Sequence, residues 1–275
     1  MQALDGQTPE SIELQLTGAS GYRLVASTEP LLGADNQVRG VLLLLEDVTR
    51  LRRLESMRSD FAANVSHELR TPITNIKGYV ETLIDVWKDD PTQTEYFLNI
   101  IKRNSNRLAS IVDDVLSLTR LENTSSQDSF EYKPIRVDQL LVAVAAQFAH
   151  LAHEKDISIS IETHTEACVL GNRTLLEQAI GNLLANAISY SPSNTSVTLS
   201  SSFGHNGSED QVEIFVTDEG PGIAAEHRDR VFERFYRIDK GRSRSAGGTG
   251  LGLVIVRDIV RAHGGDLTLV SGPDE

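Results

Sequence analysis

The segment FAANVSHELRTPITNI, residues 61–76, places a titratable pair, His67 and Glu68, inside a pattern that predicts a helix. Val65 and Leu69 belong to the apolar stripe of this helix, and at about 100° per residue His67 lies roughly 200° from both. His67 is therefore predicted to face water. Glu68 can accept a hydrogen bond from one imidazole nitrogen, which leaves the other nitrogen as a nucleophile.

Pro72 follows in the same helix and removes a backbone hydrogen-bond donor, so we expect a bend near it. A bend beside a reacting side chain would let a second domain approach that side chain. An ordinary surface histidine on a solvated helix face is the alternative, and this segment alone leaves both interpretations open.

The element that must carry this pair is a long helical hairpin. Apolar residues recur at steps of three and four across residues 51–87, and DDP at 89–91 ends the pattern. Asp90 is predicted to cap a second helix that has Pro91 at its first position. Two helices alone leave half of the apolar stripe exposed, so we expect dimerisation into a four-helix bundle.

The rest of the chain mixes helical and strand patterns, which predicts an α+β sandwich of a sheet covered by helices. We expect helices at 137–154, 173–190, 226–235 and 251–263, and strands in ISISIE, CVL, VTLSSSF, VEIFVTD and DLTLVSG. The last strand stops at the end of the chain, so the sandwich is expected to lack its C-terminal strand.

Two asparagines on one predicted helix could hold a hard cation. Asn182 and Asn186 in GNLLANAISYS are four residues apart and share a helix face, opposite an apolar face that contains Ile180 and Leu184. Amide oxygens suit Mg²⁺, which usually keeps substrate phosphates as further ligands. A polar helix surface would give the same pattern.

Two glycine-containing segments suit a nucleotide. In TDEGPGI, Gly220 and Gly222 permit a tight turn, and Asp218 could accept a hydrogen bond from an amino group such as that of adenine. An ordinary Asp-Gly turn would look the same. GGTGLGL at 247–253 opens a helix whose exposed backbone N–H groups form an anion site, although the Walker and Rossmann patterns are both absent.

The segment RVFERFYRID lies between these two and offers Arg237 as a phosphate partner. Phe232 and Phe235 are the expected anchors of the loop that follows it. Arg242 and Arg244 in that loop could contact phosphate or could equally be solvated.

Together these segments resemble the bacterial sensor histidine kinases. Phe61 and the run SHELRTP at 66–72 are similar to the phosphoacceptor box of that family, and IKGYVETL at 76–83 resembles its phosphate-regulon sensor group. The asparagine, TDEGPGI, aromatic and GGTGLGL segments, in this order, resemble the N, G1, F and G2 boxes of the GHKL ATPase fold. The resemblance covers residues 49–275.

The resemblance implies an autokinase that uses ATP and Mg²⁺, phosphorylates His67 and passes the phosphoryl group to an aspartate on the receiver domain of a response regulator. Glu68 would orient the imidazole and take up its proton, and Thr71 would orient a water that dephosphorylates the receiver. Asn186 would be the main Mg²⁺ ligand, assisted by Asn182. The nucleotide-binding candidates are Asn182, Asn186, Tyr190, Asp218, Gly220, Gly222, Ile223, Arg237, Gly248, Thr249, Gly250, Leu251, Gly252 and Leu253.

The resemblance also divides the chain into four parts. Residues 1–48 contain three predicted strands and, with Asp47 before the helix, resemble the end of a PAS sensor domain. Residues 49–123 are predicted to form the dimerisation and phosphotransfer hairpin, 124–133 a linker, and 134–275 the catalytic domain. The family implies a homodimer anchored in the inner membrane by a preceding segment, with these residues on the cytoplasmic side.

Composition narrows the function classes. Lys and Arg total 26 against 39 Asp and Glu, and the net charge of -13 disfavours direct binding to nucleic acid. Cys168 is the sole cysteine, which excludes internal disulfides and fits a reducing compartment. No run approaches the roughly 20 apolar residues of a membrane span, and no signal peptide is visible.

The sequence departs from the family pattern at two positions, and two rival functions remain open. Ser189 stands where the family usually has lysine, which leaves one phosphate contact open. Asn172 stands where aspartate is common, and because asparagine caps a helix equally well, we expect it to cap the helix at 173–190. A non-signalling GHKL ATPase, such as a gyrase subunit or heat-shock chaperone, would need a glutamate base at the position of Asn182. A catalytically inactive helical scaffold would require losses in the boxes, and Ser189 is the one loss identified.

Overall fold

A computed structural model describes residues 11–16, 21–34, 37–87, 90–123, 131–163, 167–206, 209–238 and 248–272. Its contacts divide the chain into two compact units, residues 1–67 and 68–275. The strands are β1 Ile12–Gln15, β2 Arg23–Leu32, β3 Val38–Asp47, β4 Lys133–Arg136, β5 Ser158–Thr163, β6 Cys168–Gly171, β7 Ser196–Asn206 and β8 Glu209–Asp218. The α-helices are α1 Thr49–Val86, α2 Pro91–Asn123, α3 Val137–Glu154, α4 Arg173–Tyr190, α5 Ala225–Arg228 and α6 Gly252–Ala262.

The first unit contains a three-stranded antiparallel sheet in the order β1-β2-β3. In its central strand, Ala26 pairs with Ile12 on one side and with Leu45 on the other. Successive side chains of a strand point to opposite faces. Since Leu43 and Leu44 are 57% and 59% exposed, both faces of β3 carry exposed leucines.

The start of α1 is tied to this sheet. The Thr49 backbone N–H donates to Asp47 Oδ1 at 2.9 Å, and the Arg23 backbone N–H donates to Thr49 Oγ1 at 2.8 Å. Hydrogen bonds from Thr49 hold the pKa of Asp47 below its usual value. One turn into the helix, the Arg52 guanidinium lies 2.8 Å from the Glu13 carboxylate on β1. The helix therefore begins at fixed points on two strands.

The predicted hairpin is present, and its second helix has the predicted cap. Asp90 Oδ1 accepts the backbone N–H groups of Thr92 and Gln93 at 3.0 and 3.1 Å, directly before Pro91 begins α2. Helix α1 runs through Pro72 without an interruption in its helical assignment. In the second unit, Tyr79 of α1 packs on Phe97 of α2 with ring centroids 5.6 Å apart.

The remainder of the second unit is an α+β arrangement. Strand β7 lies between a parallel neighbour, β5, and an antiparallel neighbour, β8, while β4 and β6 form a separate antiparallel pair. Helices α3 and α4 have the bounds that periodicity predicts, and both contribute to the buried core. That core consists mainly of aliphatic side chains, among them Val137, Leu140, Leu141, Val144, Ile180, Leu184, Ile188, Val197 and Leu199.

Two sequence predictions are wrong. In place of one helix at 226–235, the chain forms the short α5 and a 3₁₀ turn, Arg230–Phe232, because Phe235 adopts φ +62° and donates its N–H to Gly250 O. The expected strand at 266–272 has no strand assignment. Ser271 from that segment instead accepts the Ile223 N–H through Oγ at 2.7 Å.

Among the described residues, no helix combines the length and the apolar character needed to cross a membrane.

Candidate functional site

His67 lies on α1 and is exposed, as the spacing of the apolar stripe predicts. Glu68, the next residue, is half-buried and accepts from the Arg107 guanidinium of α2, with 2.7 Å between Nη2 and Oε2. The side chains of Arg107 and Glu68 are 12% and 25% exposed, so this ion pair is shielded from most of the solvent. The carboxylate beside the histidine is thus held by a fixed cation.

Thr71 lies one helical turn after Glu68 and is exposed. Pro72, next to it, is buried. Another polar contact joins the helices further along the hairpin, where Asn75 Nδ2 donates to Asn104 Oδ1 at 3.3 Å. A polar contact at one level of a packed hairpin favours one register of the two helices over others.

Helix α4 presents the two asparagines away from the core. Ile180 and Leu184 are buried, while Asn182 and Asn186 are half-buried. The Asn182 amide Nδ2 donates to the Gly252 carbonyl at 3.4 Å, which joins α4 to the first residue of α6. Two predicted nucleotide-binding segments therefore meet at this contact.

The ends of α4 are both capped. Asn172 Oδ1 accepts the Leu175 N–H at 3.1 Å at the N-terminus, which confirms the predicted cap. At the C-terminus, the Lys155 ammonium donates to the carbonyls of Ile188 and Ser189 at 3.1 and 3.0 Å. Although the side chain of residue 189 is a hydroxyl, a lysine from the end of α3 supplies a positive charge at this end of α4.

The TDEGPGI segment forms a tight turn after β8. Asp218 is exposed, and its Oδ1 accepts the Gly220 N–H at 2.8 Å. Gly222 has φ +68°, and a Cβ there would lie 2.7 Å from the Gly272 carbonyl oxygen. Glu219 accepts from both the N–H and the Oγ–H of Ser196, which fixes the turn to the start of β7.

The GGTGLGL loop is set by close backbone contacts. Gly250 has φ +75°, and a Cβ there would lie 2.9 Å from the Phe235 backbone. Thr249 is 7% exposed, and its Oγ1 both donates to Asp114 Oδ2 at 2.7 Å and accepts the Leu251 N–H at 3.1 Å. Leu251 is fully buried, so its side chain is a core contact.

The other sequence candidates surround these segments. Gly248, Leu253, Ile223 and Arg237 are half-buried, and Tyr190 is 52% exposed at the end of α4. The aromatic segment that begins at Arg230 is joined to α6, because Arg257 Nη1 donates to the Phe232 carbonyl at 3.1 Å. Arg242 and Arg244 lie outside the described residues.

Sequence reasoning missed two residues of α2, Arg107 and Asp114. Their partners, Glu68 and Thr249, are 39 and 135 positions away, so local spacing gives no sign of either contact. A signal for Asp114 was nonetheless present. It lies three residues after Ile111, on the face of α2 that the apolar stripe defines.

Both predicted domains match known families. Residues 57–124 match the His Kinase A (phospho-acceptor) domain. Residues 171–275 match the histidine kinase-, DNA gyrase B- and HSP90-like ATPase domain.

Individual proteins are similar over longer stretches. The chain is 35% identical over 274 residues to the sensor-like histidine kinase SenX3 of Mycolicibacterium smegmatis, which covers 97% of this chain and 69% of that protein. It is 36% identical over 232 residues to the phosphate regulon sensor protein PhoR of Pseudomonas aeruginosa, which covers 84% of this chain and 51% of that protein. The chain thus spans 51% to 69% of the length of these relatives.

Solved structures agree with this likeness. Histidine kinase ThkA, in complex with the response regulator protein TrrA, superposes with a TM-score of 0.57 at 25% identity, covering 93% of this chain and 73% of that one. Histidine kinase AdeS of Acinetobacter baumannii gives 0.53 at 29% identity, covering 71% and 86%. Both the phosphoacceptor hairpin and the ATPase fold are therefore supported by sequence and by structure, and the chain belongs to the sensor histidine kinases of two-component systems. The identity to PhoR is consistent with the phosphate-regulon group that residues 76–83 indicate.

Proposed function

We propose that this chain is an ATP-dependent protein histidine kinase whose autophosphorylation site is His67. The observation that carries the proposal is the exposed His67 followed by Glu68, whose carboxylate Arg107 holds at 2.7 Å. An ordinary surface histidine has no need of a neighbouring carboxylate fixed by a shielded guanidinium. A nucleophilic imidazole does, because the ring must be oriented and must lose a proton as it reacts.

The transfer step uses groups of this chain at both ends. A nitrogen of neutral His67 forms a bond to the γ-phosphorus of ATP, while the bond from that phosphorus to the β–γ bridging oxygen breaks and ADP leaves with the electron pair. The ring proton passes to the Glu68 carboxylate. Backbone N–H groups of Gly248, Gly250 and Gly252 contact the phosphates, and Asp218 accepts from the adenine amino group.

The residues present fit Mg²⁺. Asn182 commits its amide nitrogen to the Gly252 carbonyl, which leaves its amide oxygen for a cation, and Asn186 lies one turn further on the same face. Amide oxygens are suitable ligands for this ion. Mg²⁺ held by Asn186 and Asn182 would neutralise phosphate charge during transfer.

The acceptor of the phosphoryl group is an aspartate on the receiver domain of a response regulator. The bond from the His67 nitrogen to phosphorus breaks as a carboxylate oxygen of the receiver takes the phosphoryl group. Thr71 orients a water molecule that dephosphorylates the receiver, which is the activity opposed to the kinase. Three residues further along α1 are candidates for recognising the receiver: Tyr79, Thr82 and Asp85. Thr82 and Asp85 are exposed and suit this role, whereas Tyr79 is half-buried against Phe97 and is less accessible to a partner. Likeness to PhoR favours phosphate-starvation signalling as the pathway.

The architecture belongs to the same proposal. Residues 1–48 form the end of a PAS-like sensor domain, 49–123 the dimerisation hairpin, 124–133 a linker and 134–275 the catalytic domain. Two copies form a homodimer through a four-helix bundle, which covers apolar side chains that one hairpin leaves exposed. A segment N-terminal to this sequence anchors the dimer in the inner membrane, with these residues on the cytoplasmic side.

Incubation with Mg²⁺ and γ-labelled ATP tests the function, with His67→Gln as the matched variant. We expect acid-labile, base-stable label on the wild type and none on His67→Gln. Label that persists on the variant would exclude His67 as the acceptor. Steady release of inorganic phosphate without protein labelling would favour the rival, a non-signalling ATPase.

A further inference from the structure

Helix α2 carries a buried carboxylate that contacts the glycine loop. Asp114 is 9% exposed, and its Oδ2 accepts from the Thr249 hydroxyl at 2.7 Å. Among the described residues no salt bridge involves Asp114. Burial raises the pKa of this carboxyl, the hydrogen bond from Thr249 opposes that rise, and the neighbouring Asp113 adds to it. A buried carboxylate with a neutral partner is costly, so its position calls for a reason.

The surrounding face of α2 is a docking surface for the ATP-binding domain. In the C-terminal half of this helix, burial is greatest at Ile111, Asp114 and Leu118, with exposures of 0%, 9% and 1%, and these residues are spaced to share one face. Beside them, Gln178 of α4 donates to Ser117 Oγ at 2.9 Å. We name Ile111, Asp114, Ser117 and Leu118 the α2 seat.

The α2 seat engages a group that the nucleotide is expected to use. The Thr249 hydroxyl has one proton to donate, and Asp114 receives it. Its oxygen also accepts the Leu251 N–H, one of the backbone donors at the start of α6. An anion at this loop would be drawn to the same donors, and the carboxylate of Asp114 would repel it.

We propose that the α2 seat is an autoinhibitory surface: Asp114 competes with the phosphates of ATP for the glycine loop. The inference rests on the proposed function, since it assumes that this loop binds phosphates. Contact between the α2 seat and the glycine loop disfavours nucleotide binding. Because coupling between two binding events is reciprocal, bound nucleotide in turn favours release of the catalytic domain from α2. Release frees the domain to reach His67.

Nucleotide affinity tests the competition directly. Asp114→Ala removes the competing carboxylate and should tighten binding of a non-hydrolysable ATP analogue, with Mg²⁺, by about fivefold or more, the low end of ordinary coupling. Asp113→Asn is the matched control, because Asp113 is the adjacent acid and is exposed. Unchanged or weaker binding by a folded Asp114→Ala, with wild-type binding intact, would overturn the proposal. Asp114→Asn, which keeps an acceptor for Thr249, replaces Asp114→Ala if that variant does not fold.

Hydrogen exchange on the wild type gives a second readout. Adding the same analogue should increase exchange at residues 111–118 as the seat empties, and increased protection there would contradict the inference. Both measurements are independent of phosphorylation and can be repeated on His67→Gln. If the wild type binds no nucleotide, both the proposed function and this inference are contradicted. If the wild type binds nucleotide and Asp114→Ala does not bind it more tightly, only this inference is contradicted.

Discussion

Arg107 of α2 and Glu68 of α1 join the two helices of the hairpin through a contact of 2.7 Å, directly beside the exposed His67. The guanidinium fixes one carboxylate oxygen, Oε2. The proposed role of Glu68 as general base would make Arg107 its positioning residue, although the sequence context of Arg107 does not single it out.

Removing that guanidinium should slow autophosphorylation. Arg107→Gln is expected to lower the rate on the order of tenfold, less than the roughly hundredfold or more that a general base contributes, because Glu68 remains but is less well oriented. The KM for ATP should not change. Arg107→Lys should restore part of the rate and Arg103→Gln, on an exposed part of α2, should leave it intact; equal rates for wild type and Arg107→Gln would contradict this role.

The role proposed for Thr71 predicts that the two activities of the hairpin can be separated. Thr71→Ala should lose phosphatase activity towards the phosphorylated receiver and retain autophosphorylation of His67, because the proposed task of its hydroxyl is to orient the attacking water. Thr74→Ala, also exposed on α1, is the control. Phosphatase rates measured with purified phospho-receiver would rule the role out if Thr71→Ala matched wild type.

Gly250 cannot accept a side chain without movement. Its φ of +75° opposes Gly250→Ala, and so does the 2.9 Å that would separate the added Cβ from the Phe235 backbone. We expect a loss of about 1–3 kcal/mol in unfolding free energy, measured by urea denaturation, and weaker nucleotide binding. Gly248→Ala, where a Cβ meets nothing within 4 Å, should keep its stability. Equal stability of the two variants would show that the loop adapts.

His263 joins the C-terminal end of α6 to the N-terminal end of α4. Its Nε2 accepts the Asn172 N–H at 3.0 Å, and Nδ1–H donates to the Ile259 carbonyl at 2.8 Å. His263→Ala leaves the Asn172 donor without this acceptor and should lower the unfolding free energy by about 1–2 kcal/mol. His150→Ala, with a side chain 86% exposed, is the control for histidine removal. A denaturation midpoint unchanged in His263→Ala would refute the link.

Glu219 should give stability an acid dependence. Hydrogen bonds from Ser196 hold its pKa below the ordinary 4.5. The unfolded chain therefore binds this proton more readily than the folded chain, so the contribution is present above pH 4.5 and is lost as pH falls through the lowered pKa. Glu219→Gln should show a shallower fall in denaturation midpoint between neutral and acid pH. Parallel pH curves for variant and wild type would argue against the assignment.

The sequence predicts those parts of this fold that follow from local pattern. Periodicity gives the bounds of α3 and α4, and the Asp90-Pro91 pair locates the start of α2. The residue type of Asn172 predicts a helix cap, and the structure confirms it. Each of these features depends on neighbours within a few residues, so the sequence contains the necessary information.

Other features depend on contacts between distant segments. The helix expected at 226–235 is interrupted because Phe235 meets the Gly250 carbonyl, a partner that local propensity cannot reveal. The segment 266–272 has a strand pattern, yet Ser271 bonds to the backbone of Ile223. Arg107 and Asp114 were missed for the same reason: each acts through a side chain far away in the sequence.

The hydrogen bonds at the start of α1 have a mechanical consequence. Thr49 and Arg52 attach the helix to β1 and β2, and about 27 Å of uninterrupted helix, at roughly 1.5 Å per residue, separates Thr49 from His67. A movement of the sheet would therefore be transmitted to His67 as a rotation or shift of the helix about its own axis. The number of residues between the sheet and His67 fixes the direction in which the histidine side chain points, since each added residue rotates that direction by about 100°.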